Sequence, residues 1–128
     1  FMKAVPAIGK LKEKIARIAA SGSVPALDGR RIRIRSPHAA LNSLLQSAGA
    51  IVMKQALVIL IESLEKHDIP YKLVANVHDE WQIETPEKYG NIVGKAGCRA
   101  IEKAGKHFDM RCPLAGDYNV GKSWAETH

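Results

Sequence analysis

Cysteine is scarce in this sequence: 128 residues hold two, Cys98 and Cys112, and they form no spaced metal motif. That excludes a four-cysteine zinc site and a dense disulfide framework as the source of stability. Their contexts read as a helix and a late strand. Two reduced, half-buried thiols and a reducing, cytoplasmic compartment are therefore expected. Long apolar runs are lacking too. The longest, residues 51–61, is interrupted by Lys54 and Gln55 and is shorter than the ~20 residues that span a bilayer, so no membrane partner is expected. No signal-peptide pattern, repeat, low-complexity tract or linker is visible. What remains has the balance of one globular domain, 46% hydrophobic and 25% charged, and is long enough to bury a core.

The net charge of +6 is unevenly placed. Residues 1–40 carry nine Lys/Arg against Glu13 and Asp28, a net of +7, whereas the remainder carries ten against eleven, a net of −1. A basic front segment suits a polyanion. It suits a solvated basic surface equally well, and composition does not choose between them.

Apolar residues at 8, 11, 15, 18 and 19 predict an amphipathic helix over residues 8–20, ended by Ser21-Gly22-Ser23. Asp28-Gly29 between two short extended arms is a hairpin signal; the second arm alternates arginine with isoleucine from Arg31 to Arg35. Ser36-Pro37 supplies an N-cap and a first helical proline. The helical pattern then runs to about Lys66, interrupted only at Gly49, and its apolar stretch over 50–61 reads as a buried spine. Residues 71–77 and 80–85 read as paired strands joined by His78-Asp79. Another helix follows from Pro86-Glu87 to about Phe108, then a short strand and loop. The order indicates one compact α+β unit.

Two segments carry chemistry. In Val77-His78-Asp79-Glu80-Trp81, His-Asp occupies a two-residue turn that normally favours Asn-Gly or Gly-X. A broken local rule between good strands often marks a functional site, and a carboxylate on a rigid tip is what a hard cation such as Mg²⁺ requires. Alone, the turn reads more readily as an exposed acidic loop. In the second segment, Asn42 and Gln46 stand four apart on one helix face, with His38 a turn earlier. Carboxamides donate and accept, which suits the minor groove of a duplex, where acceptors recur in similar places. Alone, these residues read more readily as a polar stripe on an exposed helix.

Together the segments point further. Residues 36–50, SPHAALNSLLQSAGA, resemble the helix preceding the third catalytic motif of the family A DNA polymerases, the family of bacterial DNA polymerase I and many phage replicative enzymes. VHDEWQ resembles that third motif, a hairpin bearing a metal-binding aspartate. The closing GKSWAETH resembles the family's C-terminal ending with its terminal histidine, and LDGRR at 27–31 resembles the phage-type members in particular.

The resemblance implies roles. Asp79 would ligate a catalytic Mg²⁺ pair, with Glu80 an auxiliary acid and His78 near the primer terminus. Asn42 and Gln46 would touch the primer–template minor groove. His38 stands where bacterial members often carry arginine, and Arg33 and Arg35 would meet phosphates. The whole chain would be a C-terminal palm portion, with residues 1–23 a helix leading into it. The first catalytic motif with its second aspartate, the nucleotide-binding fingers helix, the thumb and any exonuclease carboxylates have no match; Asp117-Tyr118 lies in the tail. The sequence, which starts at Phe1-Met2, therefore reads as a fragment whose partners are primer–template DNA, a deoxynucleotide and a missing upstream polymerase portion. It is expected to be inactive alone and to pair as a homodimer through a sheet edge left open. A non-catalytic nucleic-acid module and a small nuclease using His78, Asp79 and Glu80 are the alternatives.

Overall fold

The computed structural model describes residues 6–128; the Phe1-Met2 start lies outside the described residues. The chain divides into two compact units, Phe1–Ile51 and Val52–His128.

In the first unit, helix α1 (Pro6–Ala19) turns its apolar stripe inward, burying Ile15 and Ala19. Strands β1 (Ser23–Pro25) and β2 (Arg31–Arg33) pair antiparallel, with Val24 opposite Ile32. Asp28-Gly29 makes the turn as expected. Gly29 takes φ +85°, and its N–H donates to the Ala26 carbonyl at 3.1 Å. The alternation in the second arm also holds: Ile34 is buried in the core with Ile15, Ala19, Val24 and Ala40, while Arg31, Arg33 and Arg35 face outward. Helix α2 (Ala40–Lys66) begins in this unit and ends in the next. Ser36 occupies the N-cap with extended backbone but makes no side-chain capping bond, because the chain enters α2 through a 3₁₀ turn at Pro37–Ala39. Gly49 does not interrupt the helix.

In the second unit, Val52, Ala56, Leu60 and Leu64 of α2 are buried at four-residue spacing. Burying Leu60 and Leu64 contributes roughly 1.5–3 kcal/mol each. They meet Trp81 and Ile83 of the hairpin β3 (Lys72–Val77) and β4 (Glu80–Glu84), and Val93 and Ala100 of helix α3 (Gly90–His107). Val52 and Ala56 pack with Ala104 of α3. The expected spine is thus a stripe: Val58 is 48% exposed, and only part of the helix surface has a neighbour. The helical stretch Pro37–Lys66 is long and apolar enough to cross a membrane by length and composition. Counting only residues 51–61 misses this, because the small uncharged residues before Ile51 extend the stretch. The buried stripe shows its second half serving as a core helix.

The tail departs from expectation. Residues 112–121 form no ladder, and a short helix α4 (Trp124–Thr127) follows. The physical reason lies on α3. A Cβ at Gly94 would collide with the Tyr118 ring, and one at Gly90 would come within 2.9 Å of Val120 Cγ1. At Gly105 it would lie 3.0 Å from Leu114 Cγ. The helix glycines form a trough, and the extended tail is held there by side-chain contact instead of by strand pairing. Cys98 is half-buried in α3, but Cys112 on the tail is exposed; both are free.

Two glycines should therefore respond oppositely to alanine. A Cβ at Gly49 would meet nothing within 4 Å, so Gly49→Ala should stabilise by about 0.4–1 kcal/mol. Gly94→Ala must displace Tyr118, and overpacking costs typically about 1–3 kcal/mol. Its net effect should be destabilising despite the helix-propensity gain. Urea unfolding of the two variants checks the opposite signs.

Candidate functional site

Strand β3 pairs β4 in a register that sets Val77 opposite Glu80 and leaves His78 and Asp79 as the two central turn residues. His78 has φ +53° and Asp79 does not share the positive φ, the pattern of a turn that normally places glycine first. The unfavourable turn read from sequence is therefore present as local backbone strain, which a bulky non-glycine residue tolerates only when held by its surroundings. Here the stem contributes to the holding. Trp81 and Ile83 are anchored in the core, so the tip projects from a fixed base. The Asp79 side chain is exposed and, among the described residues, makes no hydrogen bond or ion pair. Both its oxygens are open to a cation.

Glu80 differs from its neighbour. Strand alternation turns Trp81 and Ile83 into the core and sets Glu80 and Gln82 on the opposite face. There Glu80 Oε1 accepts from Trp124 Nε1 at 3.0 Å and from the Gln82 amide, and Oε2 lies 2.9 Å from His128 Nδ1. The Gln82 hydrogen bond first, and then His128, hold the Glu80 carboxyl below the usual carboxylate range. Thr127 Oγ1 also donates to Gln82 Oε1 at 3.3 Å. The sequence alone assigns no role to Gln82, Trp124, Thr127 or His128. The i, i+2 spacing of Glu80 and Gln82 is the one local signal. Among the described residues no group of three or more His, Cys, Asp or Glu side chains could hold a metal ion, so Asp79 fits as one carboxylate ligand and not as a complete site.

In the first unit, Asn42 and Gln46 are both exposed on α2, and neither amide makes a side-chain hydrogen bond among the described residues. His38 is exposed as well, but it lies in the 3₁₀ turn. The arginines divide. Arg31 donates from Nε and Nη2 to Ser23 Oγ at 3.0 and 2.6 Å, fastening the hairpin, and Arg30 pairs with Asp28. Among the described residues Arg33 and Arg35 are in no ion pair.

The family model described as DNA polymerase family A matches residues 9–126. The DNA-directed DNA polymerase of Escherichia phage Phieco32 is 35% identical over 135 residues, covering 100% of this chain and 22% of that protein. That of Escherichia phage T7 is 34% identical over 150 residues, covering 100% and 21%. A solved structure, the POL domain of Pol1 from M. smegmatis in complex with DNA primer-template and dNTP, is similar with a TM-score of 0.72 at 18% identity. That likeness covers 80% of this chain and 20% of the other, and it concerns the fold. The chain spans about a fifth of the length of these relatives. With the family model matched over nearly its whole length, the chain belongs to DNA polymerase family A.

Proposed function

We propose that this chain is a palm portion of a template-directed DNA polymerase and contributes one catalytic aspartate, Asp79, together with part of the primer–template surface. The observation that carries the reading is an exposed carboxylate, unpaired among the described residues, on the strained tip of a core-anchored hairpin in a family A chain. The reaction is attack of a primer 3′-hydroxyl on the α-phosphate of a deoxynucleotide, with pyrophosphate leaving. A bound Mg²⁺ pair would supply Lewis acidity to the attacking and leaving oxygens. Asp79 offers hard oxygen ligation from a fixed position, and His78 beside it would face the primer terminus. One carboxylate cannot offset the mutual repulsion of two such ions. A second aspartate and the nucleotide-binding residues would come from a further polymerase portion, which would also cover the open faces of α2. The setting would be the cytoplasm of a bacterial cell or phage-infected host.

The chain alone is accordingly expected to incorporate no nucleotides. In a full-length polymerase carrying it, Asp79→Ala should lower primer extension by at least about 10²–10³-fold, the scale of losing one electrostatic transition-state contact, while primer–template binding persists. Extension by the isolated chain, or an Asp79→Ala enzyme of undiminished rate, would defeat the reading.

Arg33 and Arg35 would meet phosphates, and Asn42 and Gln46, with His38 nearby, the minor groove. Duplex DNA should bind the chain without sequence preference, with Kd on the order of 10⁻⁴–10⁻⁶ M at physiological salt. Replacing both arginines with alanine should flatten the salt dependence by roughly one unit of slope per residue. Replacing Asn42 and Gln46 should weaken binding and leave the slope unchanged. Fluorescence anisotropy across a salt series checks both.

In the isolated chain β3 and β4 form a two-stranded sheet with Leu73, Val74 and Val77 exposed on β3. Exposed apolar edges invite pairing. A homodimer through this edge is the expected state at high concentration, and sedimentation equilibrium showing only monomer would reject it.

A further inference from the structure

The residue after Asp79 is also an acid, but its surroundings differ. A carboxylate has about four lone-pair sites, and Glu80 commits three of them: to the Trp124 indole, the Gln82 amide and the His128 imidazole. These partners are not all local. Trp124 and His128 lie 44 and 48 positions along the chain, so the carboxylate joins two distant pieces of it. An indole N–H can only donate and needs an acceptor to hold it in place. Gln82 closes the network, because its amide N–H₂ donates to Glu80 while its carbonyl accepts from Thr127. Trp124 and His128 further meet edge-to-face, with ring centroids 6.0 Å apart. Ligating a cation would require Glu80 to turn lone pairs away from these donors, whereas Asp79 has no such commitment among the described residues.

We propose that Glu80 is a positioning residue and not a metal ligand: it anchors residues 124–128 against the face of β4, and through that anchor fixes the turn that presents Asp79. The inference rests on the polymerase reading above. Position 80 is the first residue of β4 and pairs directly with Val77, so the two strand ends that bracket His78-Asp79 are the ones the anchor braces. Loss of the anchor would let the strained turn relax.

The test is steady-state primer extension by a full-length polymerase carrying this segment, titrated with Mg²⁺ for Glu80→Ala, Glu80→Gln, Trp124→Phe, the Glu80→Ala/Trp124→Phe double variant and Asp79→Ala. Glu80→Ala and Trp124→Phe should each lower kcat by about tenfold, the rate equivalent of one net hydrogen bond, with the half-saturating Mg²⁺ concentration unchanged. The double variant should be no worse than the poorer single one, since both break the same network. Glu80→Gln keeps an acceptor for Trp124 and should recover most of what alanine loses. A Glu80→Gln enzyme as impaired as Asp79→Ala, or one needing much more Mg²⁺, would make Glu80 a ligand and overturn the inference. Unaffected Trp124→Phe activity beside an impaired Glu80→Ala would overturn it as well. Full activity of Asp79→Ala would instead defeat the polymerase reading itself, so the two failures are separable.

Discussion

Val52, Ala56, Leu60 and Leu64 place one buried side chain on each of four successive turns of α2, and the second unit is assembled on that stripe. Trp81 and Ile83 reach it from the hairpin, and Val93, Ala100 and Ala104 reach it from α3. Alternation along β4 follows from this contact. With Trp81 and Ile83 committed to the core, Glu80 and Gln82 must occupy the other face, and the register then leaves His78 and Asp79 at the tip. A one-residue slip would bury Glu80 and Gln82 and expose Trp81. Hydrophobic packing thus determines where the acidic residues stand, without contacting them.

The second consequence concerns α3. Glycine at positions 90, 94 and 105 weakens a helix by roughly 0.5–1 kcal/mol each relative to alanine. Here it opens a trough that the extended tail fills with Val120, Tyr118 and Leu114. The tail has no ladder of its own, so side-chain docking and the Glu80 network hold it. Residues 124–128 reach the Asp79 hairpin because the helix behind it gave up side chains.

Much of this was legible in the sequence because it is local. The 3.6-residue period of α1, the Asp28-Gly29 turn, the arginine–isoleucine alternation and the poor turn residues His78-Asp79 each act within a few positions, and each is present. Four features were not legible. Whether α2 is buried all round depends on what packs against it, and apolar composition alone cannot limit burial to one stripe. Arg30 and Arg31 look like their neighbours in sequence, yet Asp28 and Ser23 engage them, leaving Arg33 and Arg35 without an ion pair among the described residues. Glu80 reads only as an auxiliary acid beside Asp79, because its partners Trp124 and His128 lie more than forty residues away and meet it only in the fold. The late strand failed for a related reason: its partner is a helix surface, which strand propensity does not anticipate.

In the proposed reading, Asp79 ligates the metal on which nucleotidyl transfer depends. Its most direct test is a change of ligand softness at that one position in a full-length polymerase carrying this chain. Thiolates favour soft metals over Mg²⁺. If Asp79 is that ligand, Asp79→Cys should abolish Mg²⁺-supported primer extension and thiophilic Cd²⁺ should restore part of it, with no such gain in the Asp79→Ala enzyme. Undiminished extension by Asp79→Cys with Mg²⁺ alone would contradict that reading.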